Sequence, residues 1–326
     1  MRRQGRTSIL TFLPALAAMF LSAATAAGSD YPAKPVRLIT QGAAGSGPDV
    51  ITRIIAAQLA KRWDQQVLVV NHAGGGGVLA GRAAATADPD GYTLYVPTIT
   101  TFVIMPEIQP NLPFDLDRDF APIGFFAETP MMIAVAPTLG VKTLPDLIQV
   151  AKSRPNELFY AANNRGSLPH LVGELFRART GADLTFVPYR GVTAGLQDLM
   201  GGRISVIIES VGALTGAMQS GSATPLAVAS ATRLPSLPEL PTIAETVPDF
   251  TATGWFVLMA PRGTPDVVVR KVNEDLNAVL GEAELRQQLQ ELGAFVRTMS
   301  PDETAAFIRR EQESWRPLVK QVGLAQ

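Results

Sequence analysis

The sequence predicts an α/β protein of two α/β lobes joined by two crossing segments, with a ligand cleft between the lobes. Short apolar runs that suit buried strands alternate with segments whose apolar residues recur at helical spacing. The alternation occurs in two sets, and each set is bordered by an extended apolar segment, 123–137 or 255–261. Helices follow the second segment, so both ends of the mature chain are predicted to form one lobe.

We therefore predict three parts. Residues 1–26 form a signal peptide, residues 27–127 together with 254–326 form the first lobe, and residues 128–253 form the second lobe. The hinges are expected where the crossing segments pass between lobes, near Thr129 and Gly254.

The first 26 residues read as an export signal. Three arginines precede an apolar run, Ile9 to Leu21, and Ala24-Thr25-Ala26 is a small-x-small cleavage site. The alternative is an N-terminal membrane anchor. The sequence therefore predicts a periplasmic protein whose signal is cleaved near Ala26.

Composition excludes several classes of function. The chain has 28 Lys and Arg, of which three lie in the signal; the remaining 25 against 29 Asp and Glu leave a mature net charge of −4. A mildly acidic chain without a basic run is not built to bind nucleic acid. With no cysteine and two histidines, the sequence predicts no metal site, cofactor or disulfide.

The stretch 36–63 is the clearest α/β unit. Val36 to Thr40 suits a buried strand, residues 41–47 are mostly small, and from Pro48 onward the apolar residues fall on one helical face. Ser46 or Gly47 can cap that helix, and Pro48 favours its first turn. Such a loop can hold an anion with its N–H groups, although a tight turn without a ligand is the alternative.

Further strands are predicted on both sides of the crossing segments. Val67 to Val70 and Tyr92 to Val96 complete a parallel set with the first strand, and ligands of such sheets lie beyond the carboxyl ends of the strands. In the second set, strands are predicted at 159–162, 184–188, 204–208 and 226–230, and polar loops at 163–167 and 189–193.

Several motifs recur in this order in one family. They are residues 35–39 (PVRLI), 90–94 (DGYTL), 119–122 (DFAP), 170–176 (HLVGELF), 187–191 (VPYRG), 198–202 (DLMGG) and 260–265 (APRGTP). On these the chain resembles the tripartite tricarboxylate transporter receptors, the Bug-type (Bordetella uptake gene) periplasmic solute-binding proteins. The resemblance implies a type II periplasmic-binding-protein fold and carboxylate ligands held largely by main chain and bridging waters. It also implies delivery to membrane permease subunits.

The resemblance places candidate ligand-binding residues on two walls. The first wall is the loop Ala44, Gly45, Ser46 and Gly47, where Ser46 replaces a more usual glycine. Asp49 is interpreted as mainly structural, because an acid in the first helical turn bonds free N–H groups. The second wall comprises Asn163, Gly166, Ser167, His170, Tyr189, Gly191, Thr193 and Glu209.

Several roles stay open at this point. Ser167 is the best donor to a second carboxylate, and Tyr189 can close over an apolar spacer. His170 contacts the ligand or is a buried framework residue, and Arg165 pairs with a carboxylate or is solvated. Glu209 either selects an ammonium or hydroxyl group on the ligand or is a loop acid.

Three functions follow from these residues. The leading one is a transport receptor, and the second is a periplasmic sensing subunit that presents its ligand to a sensor kinase. The third is a secreted hydrolase, which is disfavoured because the sequence has neither G-x-S-x-G nor H-E-x-x-H. We therefore predict no catalytic residue.

Overall fold

A computed structural model describes residues 31–109, 111–163, 165–189 and 191–321. The predicted signal peptide and its cleavage site lie outside these residues. The strands are β1 (Val36–Thr40), β2 (Val67–Asn71), β3 (Thr93–Val96), β4 (Phe120–Val135), β5 (Phe159–Ala162), β6 (Thr185–Pro188), β7 (Val206–Ser210), β8 (Thr224–Val228) and β9 (Thr253–Pro261). The α-helices are α1 (Gly47–Trp63), α2 (Val78–Ala85), α3 (Met105–Ile108), α4 (Leu116–Asp119), α5 (Leu144–Ser153), α6 (Leu168–Thr180), α7 (Val192–Met200), α8 (Val211–Gln219), α9 (Asp266–Leu280), α10 (Ala283–Glu291) and α11 (Pro301–Gln321).

The two lobes share one long strand. In the first lobe the strand order is β2-β1-β3-β9-β4, and β1 runs parallel to both β2 and β3. In the second lobe β4 lies between β7 and β8, and β5 runs parallel to both β6 and β7. Because β4 is 16 residues long, its first part belongs to one sheet and its last part to the other.

Strands β4 and β9 form the crossing between the lobes. They pair antiparallel from Phe120 opposite Pro261 to Pro130 opposite Thr253, and the predicted hinge residues Thr129 and Gly254 are register partners. From Met131 onward β4 pairs with the second-lobe strands. The predicted boundaries at 127/128 and 253/254 fall within this crossing and remain a prediction.

Helices pack their apolar faces against both sides of the first-lobe sheet. On one face of its sheet, α1 and α9 bury a core that includes Leu38, Ile55, Leu59, Val272 and Leu276. On the other face, a second core includes Phe102 and Phe120 and continues past Trp255 to Tyr160 and Phe176 of the second lobe. The sheet and this continuous core hold the walls of the cleft in register.

The C-terminal helix α11 fixes the crossing to the first lobe. A reciprocal cap begins it: the Ser300 N–H donates to Glu303 Oε2 at 2.8 Å, and the Glu303 N–H donates to Ser300 Oγ at 3.2 Å. Further along the helix, Glu311 Oε2 accepts a 3.0 Å hydrogen bond from the indole N–H of Trp255 in β9.

Replacement of Gly254 by Ala should destabilise the crossing. A Cβ atom there would lie 2.7 Å from Thr129 Oγ1, closer than real Cβ contacts, so the Thr129 side chain or one of the two strands has to shift. We expect a loss of about 1–2 kcal/mol in the free energy of unfolding, as for an overpacked core, measured by urea denaturation.

The double variant Thr129→Ala/Gly254→Ala removes the clash and should recover most of that loss relative to Thr129→Ala alone. An unchanged free energy of unfolding in Gly254→Ala would contradict the close packing of the two crossing strands.

Candidate functional site

The first wall of the candidate site is the loop between β1 and α1. Ser46 occupies the N-cap position of α1, and the first helical hydrogen bond runs from Val50 N–H to the Ser46 carbonyl at 2.9 Å. The four predicted residues Ala44 to Gly47 therefore surround the helix start, as expected, and Ala44, Gly45 and Gly47 are exposed.

Two of the four predicted main-chain donors are already used by the protein. Ser46 N–H donates to the Ala43 carbonyl at 3.0 Å, and Gly45 N–H donates to Asp49 Oδ2 at 2.8 Å. No hydrogen bond within the described residues uses the N–H groups of Ala44 or Gly47. These two donors, together with the helix dipole, are what the loop offers to an anion.

The Ser46 hydroxyl adds a further donor to this wall. Its Oγ atom is buried and has no hydrogen-bond partner among the described residues, and it does not cap the helix. Gly42 leaves the space for it, since a Cβ at Gly42 would lie 2.9 Å from this oxygen. Ser46 therefore presents a hydroxyl that a carboxylate or a water can engage.

Asp49 holds the loop in shape. It is 2% exposed, and its carboxylate accepts hydrogen bonds from Gly45 N–H, from Arg53 Nε at 3.0 Å and from Asn71 Nδ2 at 2.7 Å. Burial by itself would raise the pKa of Asp49, but these bonds stabilise the carboxylate and lower its pKa to about 2. The carboxylate is committed within the protein, in keeping with its structural interpretation.

A polar cluster that sequence reasoning missed supports the same wall. Gln41, at the end of β1, donates from Nε2 to Thr98 Oγ1 at 2.7 Å and accepts from Thr101 Oγ1 through its Oε1. Gly77 packs against this pair in a conformation with φ +96°, and a Cβ there would overlap both Gln41 and Thr101. The signal was a polar residue within two positions of the end of each of two parallel strands, Gln41 after β1 and Thr98 after β3.

The second wall is formed by three loops at one edge of the second-lobe sheet. Strands β5, β6 and β7 are parallel, so their carboxyl ends meet at the same edge. Residues 163–167 follow β5, Tyr189 and Gly191 follow β6, and Glu209 lies near the end of β7. The structure therefore brings together the second-lobe candidates that the sequence placed on separate loops.

Ser167 begins the helix α6 that follows the first of these loops. It is the N-cap residue, and its Oγ atom accepts a long hydrogen bond of 3.4 Å from His170 N–H. Ser167 is half-buried, and its hydroxyl proton is available to an acceptor in the cleft.

His170 is placed as a framework residue. It is 2% exposed, its ring packs on Phe186 with centroids 4.1 Å apart, and its Nδ1 accepts from Gly166 N–H at 3.1 Å. Burial lowers the pKa of His170 to about 4, so the imidazole is neutral at pH 7 and carries its proton on Nε2. It thereby fixes Gly166, which adopts φ +82°.

Gly166 is the point at which the second wall meets the first lobe. A Cβ at this position would lie 3.2 Å from Ile108 Cδ1 of α3. The glycine therefore allows the loop to lie directly against the first lobe. Helix α3 is held in place by a hydrogen bond of 2.6 Å from Arg316 Nε to Glu107 Oε1.

The remaining loop of the second wall carries Tyr189 and Gly191. The Tyr189 hydroxyl donates to Asp198 Oδ2 at 2.6 Å, and burial together with Asp198 raises its pKa to about 12. The hydroxyl is thus held on α7, and only the ring of Tyr189 remains to cover a ligand. Gly191 precedes α7, and Thr193 lies exposed in its first turn.

Glu209 is the one buried acid of this wall among the described residues. It is 8% exposed; its Oε1 accepts from Asn163 Nδ2, and its Oε2 accepts from Ser210 N–H at 3.0 Å. Burial raises the pKa of Glu209 to about 7, although the bonds from Ser210 and Asn163 oppose the rise. A carboxyl group that binds and releases its proton near neutral pH therefore lies behind the loop after β5.

Arg165 and the second histidine, His72, lie apart from these groups. Arg165 is exposed at the tip of the loop after β5. His72 directly follows β2: its N–H donates to the Thr40 carbonyl at 2.9 Å, and its side chain lines a surface cavity of about 230 Å³ with Arg37 and Val70. Within the described ranges, no three His, Asp or Glu side chains are grouped closely enough to hold a metal ion. The helices in these ranges also include none that is both long and apolar enough to cross a membrane.

Comparison with known proteins gives consistent matches along the chain. A family model for the tripartite tricarboxylate transporter family receptor matches residues 51–324. The protein BugT of Bordetella pertussis is 33% identical over 320 residues, which cover 96% of this chain and 98% of BugT.

Two solved structures carry bound carboxylates. R. palustris Rpa4515 with adipate is 34% identical with a TM-score of 0.83 and covers 90% of this chain and 99% of its own. MatC (Rpa3494) from Rhodopseudomonas palustris with bound malate is 29% identical with a TM-score of 0.76 and covers 89% of this chain and 100% of its own.

The raised pKa of Glu209 predicts a stability that falls as the pH rises. The folded state binds the proton more tightly than the unfolded state, so stability is lost between pH 4.5 and about 7 and is level above that range. The loss is on the order of 3 kcal/mol. Urea denaturation at several pH values should show Glu209→Gln gaining stability relative to the wild type across this window; a constant difference would contradict the assignment.

The lowered pKa of His170 predicts the opposite slope. The folded state binds the proton less tightly, so stability is lost as the pH falls from about 6.5 to about 4. The two slopes largely cancel in the wild type. His170→Asn, which keeps an acceptor for Gly166 N–H, should remove this contribution, and parallel wild-type and variant profiles would show that the histidine is solvated.

Proposed function

Because the chain belongs to the tripartite tricarboxylate transporter receptor family, we propose that it binds a small carboxylate-bearing solute between its lobes and delivers it to the membrane permease subunits of such a transporter. The observation that carries the proposal is the arrangement of loops at the carboxyl ends of parallel strands in both lobes. Each wall offers uncharged donors at a helix start: Ala44, Ser46 and Gly47 on one, and Ser167 on the other.

An anion can be bound here without a matching cation. Helix starts supply unpaired N–H groups and a positive dipole end, and serine hydroxyls supply adjustable donors. The Asp49 carboxylate accepts a hydrogen bond from its own loop, and the Arg165 side chain is exposed at the rim of the cleft. The proposed ligand-binding set is Ala44, Gly45, Ser46, Gly47, Asn163, Gly166, Ser167, His170, Tyr189, Gly191, Thr193 and Glu209, of which Gly45, His170 and Tyr189 act mainly by shaping the walls.

The proposed location is the periplasm, after removal of a signal peptide near Ala26. The relatives that carry adipate and malate support a dicarboxylate ligand class for this chain. The proposed lobes are residues 27–127 with 254–326 and residues 128–253, closing about Thr129 and Gly254. Transport is the proposed role because the family is that of transporter receptors, whereas no contact in the described residues favours the sensor-kinase alternative.

We also propose that the protein is not an enzyme. The basic nitrogen of His170, Nδ1, already accepts a hydrogen bond from Gly166 N–H, and burial lowers the pKa of His170 to about 4, so the ring orders a loop and is a weak general base. His72 lines a separate surface cavity with Arg37 and Val70. Turnover of an ester or amide substrate that is abolished by His170→Ala would contradict this proposal.

A ligand screen tests the receptor function. The mature protein is unfolded and refolded to remove retained ligand and is then heated with C4–C6 di- and tricarboxylates, acidic amino acids or aromatic carboxylates. A ligand that binds only the native state should raise stability by about 2.7 kcal/mol at one hundred times its dissociation constant. The matched diamides are the control, and a panel without any concentration-dependent shift would overturn the proposal.

The Ser167→Ala variant tests the second wall. It should weaken binding by about 1–2 kcal/mol if the hydroxyl donates to a carboxylate, measured by isothermal titration calorimetry. It should also lower the free energy of unfolding by about 1 kcal/mol, because a helix cap is lost.

Thr143→Ala separates the two effects. Thr143 caps α5 in the same way, with Oγ1 accepting from Asp146 N–H at 3.3 Å. This control should lose similar stability and leave affinity unchanged. Equal affinities in the wild type and Ser167→Ala would remove Ser167 from the site.

A further inference from the structure

The side chains of Asn163 and Glu209 form a pair that joins two loops of the second wall. Asn163 is the first residue after β5, and Glu209 lies near the end of the neighbouring parallel strand β7. The Asn163 side-chain N–H donates to Glu209 Oε1, while Ser210 N–H and Ser210 Oγ contact Oε2 at 3.0 and 3.5 Å. The acid is therefore anchored by one residue of its own strand and one residue of the wall.

This pairing decides which end of the Asn163 amide faces outward. A carboxylate oxygen accepts hydrogen bonds and offers no donor, so it can be satisfied by the amide NH₂ and not by the amide oxygen. Glu209 thereby turns Asn163 Oδ1 away from itself. No hydrogen bond among the described residues uses Oδ1, and Asn163 is half-buried at the start of the loop that meets Ile108 of the first lobe.

We propose that Glu209 is a specificity-positioning residue: it orients the Asn163 amide so that its oxygen selects carboxylate ligands bearing a hydroxyl or ammonium donor over the same carboxylates without one. This inference rests on the proposed receptor function and concerns the ligand class within it. An acceptor on the wall is satisfied by a ligand donor, whereas a plain methylene group leaves it desolvated and unpaired.

Matched ligand series test this selection by isothermal titration calorimetry at pH 8. Each series keeps the carbon chain constant and changes one substituent: succinate, malate and aspartate; glutarate, 2-hydroxyglutarate and glutamate; adipate, 2-hydroxyadipate and 2-aminoadipate. In the best-bound series, the wild type should bind the hydroxy or amino member about tenfold more tightly than the plain diacid.

Two variants locate the cause of the preference. Glu209→Gln offers both a donor and an acceptor to Asn163, so either amide orientation is satisfied, and the preference should fall to within about threefold. Asn163→Ala should have the same effect, and the double variant should lose no more than either single one, because both act on the same oxygen. The control Glu157→Gln changes an exposed acid of the same lobe that pairs with Arg154 and should leave the preference unchanged.

The outcomes separate this inference from the receptor function. Binding of carboxylates without a preference for the donor-bearing members, or a preference that survives in Glu209→Gln, overturns the role of Glu209 and leaves the receptor function intact. Absence of binding by every member overturns both. Circular dichroism and a thermal melt without ligand verify that each variant is folded, so that a lost preference is measured on native protein.

Discussion

The pairing of β4 with β9 is the constraint on which the rest of the structure depends. β4 is a member of both sheets, and it crosses between the lobes with β9 as its antiparallel partner. Gly254 lies opposite Thr129, where a Cβ would come within 2.7 Å of the Thr129 hydroxyl oxygen. Since each sheet is built outward from β4, the positions of all the strand ends, and hence of both walls of the cleft, follow from this pair.

The arrangement of the strands also determines the electrostatics of the candidate site. Parallel strands place the loops that follow them at one edge, and each loop here leads into a helix whose first N–H groups lack helical partners. Two acids beside these loops fix their shape: Asp49, in the first turn of α1, binds Gly45 N–H, and Glu209, near the end of β7, binds Asn163. The walls therefore present mainly neutral donors and acceptors.

Most elements could be predicted from the sequence because their apolar residues have a clear period. The strands Val36–Thr40 and Phe159–Ala162 lie where expected, and the family predicted from motifs is confirmed. The helix Val211–Gln219 was missed because its small residues, VGALTGAMQ, lack a strong apolar stripe. Its N-cap Ser210 was the available signal.

The site was predictable by position and less so by side-chain direction. Loop membership follows from strand order, so Ser167, Gly191 and Glu209 lie on one edge as expected. The bond from Tyr189 to Asp198 and the packing of His170 on Phe186 depend on contacts between different secondary-structure elements, which a single sequence does not encode locally.

A crystal structure of the mature protein with the carboxylate that stabilises it tests the central claim most directly. Our account predicts one carboxylate at residues 44–47, with the ligand reaching Ser167 across the cleft; ligand bound elsewhere on the protein would contradict it.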